Sequence, residues 1–197
     1  PKGTRLSTAS GDGSIKIWDF LNSRCSATLT DHSMAVWNVE FHDTGEFLIS
    51  SSMDQTARLW DLFTGKCRST IRGHLDSVNH ATFVPFTNTV VTCSADKTVS
   101  IWDLRVDTNS LNITTLYGHN NACNHVVIDQ KGTTAASSDC DGLVILWDLR
   151  TMTERKRFEE IYAARGQLLR DKKPTGKELL KYKYQWYMQD YLACIAS

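Results

Sequence analysis

The 197 residues include only three prolines, and no run of large apolar residues exceeds the five from Leu143 to Trp147. A membrane-spanning helix needs about 20 such residues, so none is expected. Neither sign of charge predominates, with 22 basic and 22 acidic side chains. That balance argues against a general electrostatic grip on nucleic acid or an anionic membrane. The six cysteines, at 25, 67, 93, 123, 140 and 194, include no C-x-x-C pair. Such usage points to free thiols in a reducing compartment rather than a disulfide framework. No Cys/His spacing suits zinc, and no Walker loop or dinucleotide fingerprint is present; Gly11-Asp12-Gly13 reads only as a turn. No metal or other cofactor, small-molecule substrate, nucleic-acid partner or membrane partner is therefore expected. Pro1-Lys2-Gly3 lacks the apolar stretch of a secretory leader, and the absence of an initiating Met suits either Met removal or a fragment. Asn112-Ile113-Thr114 is a glycosylation sequon, inert in an intracellular protein.

What is abundant is repetition. Trp-Asp recurs at 18–19, 60–61, 102–103 and 147–148, at spacings of 42, 42 and 45. Within one unit, strand-like stretches at 36–41, 47–51, 57–60 and 67–71 are parted by turn residues at 43–45, 53–55 and 64–65. The next unit repeats this at 78–84, 89–93, 99–102 and 113–117, its three extra residues falling at 106–110. Four strands per 42 residues is the blade of a β-propeller. The expected fold is all-β: a partial propeller of about four blades over residues 1–153.

The wider pattern resembles the WD-repeat family. Gly73-His74 and Gly118-His119 match its opening dipeptide, and Asp31-His32 stands in the same place. From each His an Asp lies 22 residues on, a Trp six beyond that, and a Ser or Thr four before the Asp. The sets are His32, Ser50, Asp54, Trp60; His74, Thr92, Asp96, Trp102; and His119, Ser137, Asp141, Trp147. Thr8, Asp12 and Trp18 form an incomplete set whose His would precede Pro1, so the chain is expected to start inside a blade. The resemblance implies a hydrogen-bonded strut in each set. Unpaired buried polar groups cost about 1–3 kcal/mol each, and a linked set satisfies them together. Ser, His and Asp also make catalytic triads, but an enzyme needs one site, whereas these types recur in every unit. A non-enzymatic protein is expected.

In that family, partners contact positions three and five after the opening His and just before the strut Asp. Carried over, these are Ala35, Trp37 and Met53; Ser77, Asn79 and Ala95; and Ala122, Asn124 and Cys140. Trp37 and Met53 are expected to form an exposed apolar pair, serving a partner or local packing. His42, His80 and His125 lie outside the struts and read as polar residues of inner strands. Cys25 and Cys67 occupy equal repeat positions and read as packing.

Charge separates the remainder. Residues 1–153 carry 12 basic and 16 acidic side chains; residues 154–197 carry 10 and 6. Thr151-x-x-Glu154 and Thr175-x-x-Glu178 are capping-box patterns. Apolar residues from Phe158 to Leu169 and from Leu179 to Leu192 recur at helical spacing. Residues 154–197 are expected to be a basic amphipathic tail, helical or disordered, or sequence foreign to the family.

Less generic stretches, Phe41-His42-Asp43-Thr44-Gly45, Ser51-Ser52-Met53-Asp54 and Val84-Pro85-Phe86-Thr87-Asn88, are similar to WD-repeat proteins of the axonemal central apparatus. That resemblance implies a scaffold of motile cilia and sperm flagella, located in the cytoplasm, cytoskeleton and axoneme. It would support axoneme assembly and beating, with central-apparatus and microtubule-associated proteins as partners. The alternative is a generic WD-repeat adaptor, such as a ubiquitin-ligase substrate receptor or signalling scaffold.

Overall fold

The computed structural model describes residues 4–105 and 112–158. These residues form 15 strands in four antiparallel sheets. The first sheet has three strands: β1 (Arg5–Ala9), β2 (Ile15–Asp19) and β3 (Arg24–Leu29). The second has β4 (Val36–Phe41), β5 (Phe47–Ser52), β6 (Ala57–Asp61) and β7 (Lys66–Ile71). The third has β8 (Val78–Phe83), β9 (Thr89–Ser94), β10 (Thr98–Asp103) and β11 (Asn112–Tyr117). The fourth has β12 (Cys123–Ile128), β13 (Thr134–Asp139), β14 (Val144–Asp148) and β15 (Thr153–Phe158). Every sheet is a meander in sequence order, as short turns require. The expected all-β blades are present, the first lacking a fourth strand among the described residues.

The hydrophobic cores lie between blades rather than within them. Ile15, Ile17 and Leu29 of the first blade pack with Val36, Leu48 and Trp60 of the second. Ile49, Leu59 and Ile71 then pack with Val78, Phe83, Val90 and Trp102. Val91, Val99 and Ile101 pack with Val126, Ile145 and Trp147. Successive residues of a strand point to opposite faces, so Leu48 meets the preceding blade and Ile49 the following one. A middle blade is covered on both faces, and its central strands therefore read as nearly continuous apolar or small residues. Trp60, Trp102 and Trp147 are fully buried, each contributing about 1.5–3 kcal/mol or more by burial.

One expectation is corrected here. Thr151 and Glu154 do not open a helix: residues 153–158 form β15, the outer strand of the fourth blade. Thr153, Arg155 and Phe158 belong to a meander that β14 has already begun. Met152, at φ 57, makes the turn, and its N–H bonds Asp148 O at 2.8 Å. Pairing with a formed strand edge outweighs a local capping signal. The fourth blade thus runs on past residue 153. The rest of the expected tail, and the expected loop at 106–110, lie outside the described residues.

Candidate functional site

The expected struts assemble in the second and third blades. His32 Nδ1 lies 2.8 Å from Asp54 Oδ2, His32 Nε2 lies 2.8 Å from Ser50 Oγ, and Trp60 Nε1–H donates to Ser50 Oγ at 2.8 Å. The third blade repeats this with His74, Asp96, Thr92 and Trp102 at 2.8, 2.7 and 2.7 Å. A carboxylate only accepts, so the Nδ1 proton points to Asp and Nε2 accepts from the hydroxyl. One imidazole thus joins two strands and a loop. Thr56 and Thr98 fix the carboxylates by donating from Oγ1 to Asp54 Oδ1 and Asp96 Oδ1, both at 2.6 Å. Burial works to raise the Asp54 carboxyl, but Thr56 and His32 hold it below its ordinary value. Against the same burial, His74 and Thr98 hold Asp96 well below the carboxylate range. Burial lowers His32 despite Asp54, keeping the ring neutral.

The opening glycine has a packing reason. Gly73 has φ 148, and a Cβ there would sit 2.9 Å from the Trp102 ring. At Gly118 it would sit 3.0 Å from the Trp147 ring. In the first blade, Trp18 Nε1–H donates to Thr8 Oγ1 at 3.0 Å, and Asp12 Oδ1 accepts from Ser14 N at 2.8 Å.

The fourth blade departs from the expected set. His119 Nε2 lies 2.6 Å from Ser137 Oγ, and Trp147 Nε1–H donates there at 2.8 Å. However, His119 Nδ1 pairs at 3.1 Å with Asp139 Oδ2, not with Asp141. Asp139 Oδ1 also accepts from Asp141 N and Leu143 N, both at 3.0 Å. Asp141 is exposed, and its Oδ1 accepts from Asn121 Nδ2 at 3.0 Å. The cause is legible in the repeat: Ser10-x-Asp12-x-Ser14, Ser52-x-Asp54-x-Thr56 and Ser94-x-Asp96-x-Thr98 become Asp139-x-Asp141-x-Leu143. Leu143 has no hydroxyl to fix Asp141, and Asp139 supplies a longer acceptor at the serine position.

The expected contact residues gather on one rim through an unforeseen device. A β-bulge interrupts the start of each inner strand, between Val36 and Asn38, Val78 and His80, and Cys123 and His125. The extra residues are Trp37, Asn79 and Asn124. A bulge re-aims a side chain, and here it does so at the same place in three blades. Backbone bonds seat the rest: Met53 N to Ala35 O at 2.9 Å, Ala95 N to Ser77 O at 2.9 Å, and Cys140 N to Ala122 O at 3.0 Å. Trp37 and Met53 are 54% and 44% exposed. Trp37 Nε1–H crosses to the next blade and donates to Ser77 Oγ at 2.8 Å. Ser77 Oγ donates to Asn79 Oδ1 at 3.1 Å, and Asn79 Nδ2 donates to Cys123 O at 2.8 Å. One polar line thus spans three blades. Cys140 and Asn124 are exposed and bond each other through Asn124 Nδ2 and Cys140 Sγ at 3.3 Å. Met34 and Leu75, exposed in the same loops, widen the apolar patch. Leu75 follows His74 directly and Met34 lies two residues after His32, a signal that was available.

The residues read as packing lie elsewhere. The His80 and His125 rings lie against each other, with centroids 3.7 Å apart and planes tilted by 39°. Burial, helped by His125, pushes His80 down to about 3. His42 lies edge-on to Phe83 at 4.8 Å. Cys67 packs against the core between the first two blades, while Cys25 is exposed and its Sγ lies 3.3 Å from Ala27 O. Among the described residues, no cluster of three or more His, Cys, Asp or Glu could hold a metal ion.

These repeated geometries agree with comparison to known proteins. The family described as "WD domain, G-beta repeat" matches residues 1–19, 23–61, 65–103 and 111–148. The Lissencephaly-1 homolog of Dictyostelium discoideum is 47% identical over 45 residues, covering 23% of this chain and 11% of that relative. The match therefore spans about a tenth of the relative's length. With four repeat matches covering most of the chain, and a His-centred strut in three blades, the protein belongs to the WD domain, G-beta repeat family.

Proposed function

We propose that this protein is a non-catalytic scaffold that binds other proteins through the bulged rim, as a component of the central apparatus of motile cilia and sperm flagella. The observation that carries the binding role is the rim itself. Three bulges turn Trp37, Asn79 and Asn124 to one side, and the exposed Trp37 is held by Ser77 rather than left to swing. A fixed, exposed aromatic loses little freedom on binding and makes a good anchor. The Ser, His and Asp side chains do not serve catalysis in this reading. Each hydroxyl is buried and already takes an indole N–H, leaving no approach for a substrate. The axonemal assignment rests on the resemblance of the stretches around 41–45, 51–54 and 84–88 to sperm-associated antigen 16.

The test is to express the chain and its Trp37→Ala, Met53→Ser double variant in motile ciliated cells and to quantify both in detergent-extracted axonemes. Retention of the wild type with loss of the variant supports both parts. Co-purification of the wild type with ubiquitin-ligase subunits instead of axonemes replaces the axonemal reading with the adaptor reading. Equal retention of both forms removes the rim from the account.

A further inference from the structure

Two buried cysteines face each other across the boundary between the third and fourth blades. Cys93 lies on β9, directly after the strut residue Thr92, and Cys123 opens β12, four residues after the strut His119. Neither is exposed at all. Cys93 Sγ lies 3.7 Å from Cys123 O, and both side chains belong to the same apolar cluster. The repeat makes the placement specific. The equivalent positions pair Ala9 with Val36 at the first boundary and Ser51 with Val78 at the second. Only the third boundary carries sulfur on both sides.

The surroundings differ as well. Cys123 lies beside the His119 strut, and its Sγ reaches Ser138 O at 3.4 Å. The Cys93 side chain and the His119 ring hold the Cys123 thiol down at about 6 despite its burial. Burial and Cys123 push the Cys93 thiol well up. Against burial, Cys123 and then Asp139 hold His119 above its ordinary value. The Cys123 sulfur is thus placed to attack first, and the Cys93 sulfur to resolve the product once it in turn gives up its proton.

We propose that Cys93 and Cys123 are a redox site, closing to an interblade disulfide when the protein meets a hydroperoxide. Hydrogen peroxide enters as the blade boundary opens locally, the route by which buried groups meet solvent. The Cys123 thiolate, its proton passed to His119, attacks one peroxide oxygen. The S–O bond forms, the O–O bond breaks, and the departing hydroxide takes the proton as water. The Cys93 sulfur then attacks the Cys123 sulfenic sulfur, forming the S–S bond and releasing the second oxygen as water. Two thiols lose two electrons and one peroxide gains them. The bond ties β9 to β12 and holds the two blades together.

The full chain is treated with hydrogen peroxide, denatured, alkylated and digested without reduction. The expected result is a Cys93–Cys123 cross-linked peptide, with both thiols resistant to alkylation until reductant is added. A Cys93→Ala variant, which substitutes a small apolar residue at a buried position, is expected to lose the cross-link and leave a Cys123 sulfenic acid that dimedone traps. The proposal is overturned if both thiols alkylate fully after peroxide treatment and denaturation. It is equally overturned if Cys123 oxidises onward in the wild type with no link to Cys93.

Discussion

Replacing Asp139 by Ala should destabilise the fourth blade far more than replacing Asp141, although Asp141 holds the repeat position that the other blades use for the strut. Asp139 is buried and accepts from three donors: His119 Nδ1, Asp141 N and Leu143 N. Removing it leaves a buried imidazole N–H and two turn N–H groups without their acceptor. At about 1–3 kcal/mol for each fully buried donor, and with water reaching the turn, the loss is about 2–4 kcal/mol. Asp141 is exposed and accepts from one side chain, Asn121, so its loss should fall within about 0.5 kcal/mol. Asp139→Asn keeps an acceptor oxygen and should lie between. Urea unfolding followed by tryptophan fluorescence reads all three, with Trp147 inside the affected strut. Equal losses at 139 and 141, or a larger loss at 141, would refute the reassigned strut.

Thr92→Val keeps the shape but removes the acceptor for Trp102 and the donor to His74; a loss of about 2–3 kcal/mol is expected in the same assay. Gly73→Ala drives a methyl to 2.9 Å from the Trp102 ring, and a loss of about 1–3 kcal/mol with a shifted fluorescence maximum should follow. Acid should weaken the fold in a defined window. His80 is pushed down to about 3 from an ordinary 6.5, so between these values the unfolded chain takes a proton that the folded chain refuses. Stability is therefore complete above about 6.5 and falls toward 3, with Asp54 and Asp96, held low, adding losses as their carboxylates protonate. His80→Leu should flatten the upper part of that window in pH-dependent melting, since the ring nitrogen Nδ1 is buried and has no partner. An unchanged slope would count against the ring pair.

Most of the fold was legible because the repeat is read four times. The Trp-Asp spacing locates β2, β6, β10 and β14, and the turn residues between them delimit their partners. Three complete His, Ser/Thr and Trp combinations assembled as spacing implied. The exception, Asp139 for Asp141, was visible as a broken Ser-x-Asp-x-Thr pattern, but choosing the acceptor requires knowing that Leu143 cannot anchor Asp141. β15 was misread because Thr151 and Glu154 match a local helix start, while its strand pairing is a tertiary effect. The bulges were not legible at all. A bulge is a mismatch between two strands, and Val36-Trp37-Asn38 taken alone looks like any inner strand. The same holds for the Cys93 and Cys123 encounter, since 30 residues separate them in sequence.

The central claim is that partners meet the bulged rim. It is tested most directly by placing a photo-crosslinking amino acid at Trp37 and, in a second chain, at Phe63. Phe63 is 98% exposed in the β6–β7 turn at the opposite end of the strands. After irradiation in motile ciliated cells, the account predicts discrete protein adducts from position 37, recovered with axonemes, and none of these from position 63. Adducts of equal number and identity from both positions, or from 63 alone, would contradict it.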